Sequence, residues 1–196
     1  MKISYFGHSN FLVEGYDYSI LLDPFSQIGL EEVEVECDYV FCSHNHFDHS
    51  NKSLAIGASE VKNSYSFEVI KTFHDEKLGK LRGENNVLKF NLDGVNLAFL
   101  GDLGEYDNEE LIEKLKGVDV LFIPVGGKYT IDENGAYDYV KKIQPKTIIP
   151  MHYKLKNSTV DIKPVDCFLN KFDSYKTVTS PFKYKGESGV VLIKGE

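Results

Sequence analysis

The chain predicts an α/β protein in which two β-sheets pack face to face with helices outside. Short apolar segments separated by Gly and Asn turns fill the first half, and helix-start signals alternate with apolar strands in the second. The 196 residues, 42% hydrophobic and 27% charged, suffice for one substantial core.

Strands are expected at Ile3 to Phe6, Phe11 to Glu14 and Ser19 to Leu22, spaced as in a meander. Tyr39 to Cys42 is apolar and lacks Gly and Pro, which suits a buried strand. Tyr65 to Phe73 reads as a further strand. Val95 to Leu100 reads likewise and closes on the glycine-flanked turn Gly101-Asp102-Leu103-Gly104. Asp107 with Glu110 opens a helix over Asn108 to Leu115, and the T-x-x-E pair Thr130 and Glu133 opens another through about Ile143. Strands Val120 to Ile123 and Thr147 to Ile149 alternate with these helices. No linker, low-complexity run or repeat interrupts the chain, so a single domain over residues 1–196 is expected.

Charge and cysteine usage narrow the function classes. Acidic residues outnumber basic ones 30 to 22, for a net charge of −8, without a basic run. A binder of long nucleic acid needs a basic face, so that class is excluded and a small-molecule substrate is expected. Cys37, Cys42 and Cys167 are odd in number and form no C-x-x-C pair, which points to a reducing cytoplasm rather than a disulfide framework. No segment approaches about 18 consecutive apolar residues, and the start lacks a signal-like stretch, so neither membrane insertion nor secretion by that route is expected. Monomer and homo-oligomer are both compatible with the sequence.

The densest chemistry lies directly after Tyr39 to Cys42, in S-H-N-H-F-D-H-S-N. The pattern H-x-H-x-D-H places His44, His46, Asp48 and His49 on one turn at a strand end. Neutral imidazole and carboxylate bind divalent zinc, manganese or iron. Adjacent Asp48 and His49 point differently from His44 and His46, so two ions are the natural solution. The remaining histidines are His8, His74 and His152, of which His74 and His152 both follow strands. Asp102 adds a carboxylate in the same setting and is suited to bridging two ions.

Taken in order, H-x-H-x-D-H, a lone histidine, G-D-L-G and P-x-H resemble the metallo-β-lactamase-fold superfamily, and within it the small metal-dependent hydrolases related to ascorbate-6-phosphate lactonase. Gly7-His8-Ser9, Leu22-Asp23-Pro24, Arg82-Gly83-Glu84-Asn85, Pro124-Val125-Gly126-Gly127 and Pro150-Met151-His152-Tyr153 match that family's landmarks between residues 3 and 153. The resemblance implies a four-layer αββα sandwich of two mixed β-sheets flanked by helices. It also implies His44, His46 and His74 on one ion, Asp48, His49 and His152 on a second, and Asp102 between them. The interval from His49 to His74 is short for the superfamily, so trimmed loops and a shallow pocket are expected.

Further residues take supporting roles. Asp23 is placed to accept a hydrogen bond from a ligating histidine and fix its tautomer. His8, left over once six ligand positions are filled, is assigned as an outer neighbour or proton relay. Arg82, the sole arginine, suits either capture of a carboxylate or phosphate or a loop-fixing ion pair. Lys128 and Tyr129 are expected at the mouth of the site, with Tyr129 or His8 assisting protonation of a leaving group. The reaction expected is hydrolysis of an ester, lactone or phosphodiester bond of a small anionic substrate by a hydroxide bridging two divalent ions. Zinc is the first expectation, with manganese, iron and nickel also admissible. The alternatives are an iron-dependent oxidoreductase of the same superfamily and a non-catalytic metal-binding module.

Overall fold

A computed structural model describes residues 1–195 of the chain. The elements follow in the order β1 (Lys2–Gly7), β2 (Asn10–Glu14), β3 (Ser19–Leu22), β4 (Val35–Glu36), β5 (Tyr39–Phe41), β6 (Ala55–Ile56), β7 (Ser59–Glu60), β8 (Phe67–Phe73), β9 (Glu84–Leu92) and β10 (Val95–Phe99). The second half adds α1 (Glu109–Leu115), β11 (Val120–Pro124), α2 (Glu133–Ile143), β12 (Thr147–Met151), α3 (Asp166–Leu169), β13 (Tyr175–Thr179), β14 (Phe182–Lys183) and β15 (Gly189–Lys194).

Two mixed sheets face each other. The first runs β14-β1-β2-β3-β5-β7, antiparallel from β14 to β3 and parallel from β3 to β7. The second runs β13-β15-β12-β11-β10-β9-β8, parallel from β13 to β10 with β9 and β8 antiparallel at one edge. Alternation along the first sheet decides what lies between them. Ile3, Tyr5, Phe11, Val13, Ile20, Leu22 and Phe41 enter the main core, while the intervening Leu12, Leu21 and Val40 face the other way. Phe11 meets Phe122 across the interface with ring centroids 4.9 Å apart, and Phe41 meets Phe99 at 6.3 Å.

The two outer faces are covered unequally. Successive parallel crossovers from β10 to β12 put α1 and α2 on one side of the second sheet, and α3 packs against α2. The outer face of the first sheet carries only a small cluster built on Leu12, Leu21, Cys37, Val40 and Leu54. The β4–β6 ribbon and a 3₁₀ turn at Lys52–Leu54 close it and form the outer layer on this side.

Both helix caps differ from expectation for the same reason. α2 begins at Glu133, so Glu133 lies too early for a T-x-x-E box. Asp132 is the cap, accepting from the Asn134 and Gly135 backbone N–H at 3.1 Å, while the Thr130 hydroxyl donates to the Ile131 carbonyl. In α1 the cap is Asn108, accepting from Leu111 N–H at 3.0 Å. Asp107 sits one step outside, with φ at +55° and its carboxylate on Lys142 at 2.9 Å. β12 also runs two residues beyond the expected end. Met151 O accepts from Val125 N–H on the β11 side, so Pro150 faces β15, whose pairing already ends at Ile148. The missing N–H of Pro150 therefore breaks no ladder.

Candidate metal centre

Every candidate ligand sits just past a strand, at one end of the sandwich. His8 lies between β1 and β2, the H-x-H-x-D-H turn after β5, His74 after β8, Asp102 after β10 and His152 after β12. Rigid strands thus fix the position of groups carried on short loops. Convergence is tight enough to dictate glycine beside the ligands. A Cβ on Gly101, whose φ is +53°, would lie 2.3 Å from Ser43 Cβ, and one on Gly104 would lie 2.4 Å from the backbone of His74 and Asp75.

Two groups of donor atoms result. His44, His46 and His74 form one, and His8, His49 and His152 form another, with donor atoms in each group within 4.8 Å of one another. Asp102 lies between them. Its Oδ2 is 3.3 Å from His74 Nε2, 3.2 Å from His49 Nε2 and 3.1 Å from His152 Nε2. Asp48 Oδ2 is 3.5 Å from His8 Nε2 and 3.7 Å from His49 Nε2.

The donor set fits divalent metal. His44 Nε2 and Asp102 Oδ1 are buried in the cluster without a hydrogen-bond partner. Buried polar atoms are almost always paired, and a cluster of unpaired ones built from imidazole and carboxylate is what a metal-binding site supplies. Protonation agrees. Burial first, then the neighbouring His152, pushes His8 down to about 3, and burial with His49 pushes His44 to about 2. Both rings are therefore neutral at physiological pH and carry a lone pair. Burial alone would raise the Asp102 carboxyl, but His152 and His49 outweigh it and hold it well below the usual range. His49 goes the other way, because Asp102 and Asp23 outweigh its burial.

Orienting groups surround these donors. Asp23 Oδ2 accepts from His49 Nδ1 at 2.7 Å, the contact expected of Asp23, which leaves Nε2 aimed into the cluster. Ser43 was not legible as a site residue. Its backbone N–H and hydroxyl donate to Asp23 at 2.6 and 2.7 Å, and its Oγ lies 2.9 Å from His44 Nδ1. Asn85 was not singled out for this role either. Its Oδ1 accepts from the Asp102 backbone N–H at 2.9 Å and its amide donates to Thr72 and Leu100. A serine before the ligand run carries no distinctive spacing, and Asn85 is marked only as the last residue of the Arg82-Gly83-Glu84-Asn85 landmark, which does not show that it bonds to Asp102.

A cavity of about 460 Å³ opens onto His46, Asp48, His74, Asp102 and His152. Arg82 and Tyr129 line it, with the guanidinium carbon 5.5 Å from the ring centroid. Lys128 does not line it. Its ammonium pairs with Asp161 and lies 5.5 Å from the Tyr129 ring centroid, so it meets the cavity only through those two lining residues. His8 is 1% exposed beneath the cavity and does not line it, so its ring meets the cavity only through Asp48, 3.5 Å away. The shallow pocket expected from the short His49–His74 interval is deepened elsewhere. Thr159, Val160 and Asp161 form one wall, tied to Ile28 by a bond from Thr159 N–H to the Ile28 carbonyl at 2.8 Å. Phe47 adds an apolar edge at 60% exposure.

Comparison with known proteins agrees with this architecture. Residues 2–152 match the family model described as the beta-lactamase superfamily domain. A UPF0173 metal-dependent hydrolase of Carboxydothermus hydrogenoformans is 29% identical over 191 residues, covering 78% of this chain and 84% of that one. One from Pelotomaculum thermopropionicum is 27% identical over 193 residues, with the same coverage of 78% and 84%. Among solved structures, a Thermotoga maritima protein named as a Zn-dependent hydrolase of the metallo-beta-lactamase superfamily superposes with a TM-score of 0.82. It is 32% identical and the match covers 100% of this chain and 99% of that one. A metallo hydrolase from Ignicoccus hospitalis shares the fold at a TM-score of 0.66, 22% identical over 87% of this chain and 89% of that one.

Proposed function

The chain belongs to the beta-lactamase superfamily and is a metal-dependent hydrolase; from that premise we propose that it cleaves an ester, lactone or phosphodiester bond in a small anionic molecule at a binuclear site. The observation that carries the binuclear reading is Asp102, whose Oδ2 stands within 3.3 Å of imidazoles belonging to both donor groups. His44, His46 and His74 would hold one ion, Asp48, His49 and His152 the other, and Asp102 both. Two bound divalent ions supply hydroxide from a shared water near neutral pH and polarise the substrate's carbonyl or phosphoryl oxygen.

The chain's own residues do the rest. Asp23 and Ser43 fix the His49 and His44 rings, so their lone pairs are held in place before substrate arrives. His46 and Asp48 face the cavity and set where the scissile bond lies. Arg82 forms no ion pair with a carboxylate among the described residues and offers its fork of donors beside His46. That supports an anionic group on the substrate, away from the bond that breaks. Tyr129 places a phenol on the same wall, the residue best positioned to pass a proton to a departing oxygen.

Metal content per chain, measured by mass spectrometry on protein purified without chelator, tests the reading together with turnover of model lactones and phosphodiesters. About two zinc or manganese ions are expected. His46→Ala and Asp102→Asn should each abolish hydrolysis while leaving the circular dichroism unchanged. One iron per chain, or retained turnover in both variants, would overturn the binuclear mechanism.

A further inference from the structure

The geometry points to His8 as a direct ligand of the second ion, which we infer is held by His8, Asp48, His49 and His152 together with the shared Asp102. This rests on the binuclear reading above and adds to it a ligand from the β1–β2 turn, far in sequence from every other donor.

Distance separates this role from its alternatives. His8 Nε2 lies 3.1 Å from His49 Nε2. Two nitrogens bonded to one zinc at 2.0–2.1 Å stand about 2.9–3.6 Å apart at the 90–120° angles of a five-coordinate ion, so the separation suits co-ligands. The other reading is a hydrogen bond between the rings. Asp23 takes the His49 Nδ1 proton, so a metal on His49 needs the lone pair of Nε2, and a hydrogen bond between the two rings in either direction would use that same nitrogen. A donor bond there and a metal on His49 exclude each other. The His8 ring also lies close against the second group, tilted to both neighbours, its centroid 4.2 Å from that of His152 and 4.8 Å from that of His49.

The backbone supports the assignment. His8 adopts φ of +53° and His152 φ of +52°, a region uncommon for residues with a Cβ. Each strained residue is fixed by the other, since His152 N–H donates to the His8 carbonyl at 3.0 Å, and Tyr5 Oη donates to that same carbonyl at 3.2 Å. Strain of this kind persists where the surroundings over-determine it and is concentrated at functional sites. One consequence is an asymmetric pair. The second ion takes four groups of its own, two of them at the closed floor, whereas the first takes three and lies beside the exposed His46. The second ion therefore binds first and tighter, leaving exchange and open coordination to the first. All six histidines of the chain would then be ligands.

The test uses His8→Gly, because glycine removes the imidazole yet accepts the positive φ. Zinc stoichiometry and competition with a chelator are compared with the wild type, and cobalt absorption reports on the site that stays filled. The variant should hold about one ion where the wild type holds two, with the lost ion weakened more than about a hundredfold, beyond what outer-sphere partners cost. Added free imidazole should restore the second ion. Two ions bound with smaller weakening would overturn the role of His8 and leave the binuclear reading intact, whereas a wild type that binds fewer than two ions would remove the reading itself. A measurement on the wild type covers a variant that does not fold. Nitrogen NMR should show all six imidazoles shifted on loading with zinc, and five shifted with His8 unmoved would overturn the assignment.

Discussion

At the scale of single residues, the anionic substrate proposed above rests most directly on Arg82. A lone guanidinium over an aromatic ring, beside a ligand histidine, is placed to recognise an anion bidentately. Hydrogen bonds to charged groups contribute about 1.5–3 kcal/mol, which corresponds to roughly 10–100-fold in binding. Arg82→Ala should therefore raise KM for an anionic ester by roughly that factor and leave KM for its neutral analogue unchanged, with Arg82→Lys recovering part of the loss. Equal effects on both substrates in steady-state kinetics would assign Arg82 to holding its loop. The H-x-H-x-D-H spacing made four ligand candidates readable directly, because local sequence alone brings those side chains onto one turn. His8 is legible as part of the Gly7-His8-Ser9 landmark and as an outer neighbour of the site, not as a ligand. What distinguishes it is a 3.1 Å approach to a residue 41 positions away, and no spacing rule encodes that.

At the scale of elements, the loop between β8 and β9 holds together His74 and Arg82, the proposed ligand and the proposed anion-binding residue. His74 begins it and Arg82 nearly ends it. Between them the Asp75 carboxylate accepts backbone N–H bonds from Lys77 at 2.8 Å, Gly79 at 3.1 Å, Leu81 at 3.0 Å and Arg82 at 2.8 Å. Burial would raise this carboxyl, yet the four donors outweigh it and hold it below its ordinary value. A depressed folded pKa means the stabilisation is complete above the unfolded value of about 3.9 and is lost as pH falls below it. Hydrogen exchange at Leu81 and Arg82, corrected for intrinsic rates, should thus show protection at neutral pH that declines through and below the carboxylate range. In Asp75→Asn that pH dependence should vanish and protection should be low throughout; unaltered protection would show the loop is fixed elsewhere. The same scale explains what the sequence misassigned. Thr130 and Asp107 look like caps, but the cap is whichever polar residue immediately precedes the first turn, and packing decides where that turn begins. β9 was unread because Asn85, Asn86, Lys89 and Asn91 break its apolar alternation, each with a partner only the folded molecule supplies.

For the whole molecule, the core and the metal centre are separable. The main core runs between the sheets and under the helices, whereas the ligands gather at one end, on loops. Chelation should consequently lower the melting temperature without unfolding the chain. Metal at a hundred times its Kd contributes about 2.7 kcal/mol, and about 2–4 °C per kcal/mol for a domain of this size gives a drop of roughly 5–10 °C in differential scanning calorimetry. Loss of all cooperative unfolding on chelation would show instead that the ions are part of the core. The sequence by itself determined the two-sheet α/β class and the H-x-H-x-D-H turn with Asp102, because period-two alternation and ligand spacing are local properties of the chain. Only tertiary structure decided that Ser43 bonds to Asp23 and His44 and Asn85 to the Asp102 backbone, that residues 159–161 wall the cavity, that a two-strand ribbon covers the outer face of the first sheet, and that His8 lies 3.1 Å from His49. Those features depend on where distant strand ends converge, which is set by how the two sheets bury their inner faces and not by any short stretch of residues.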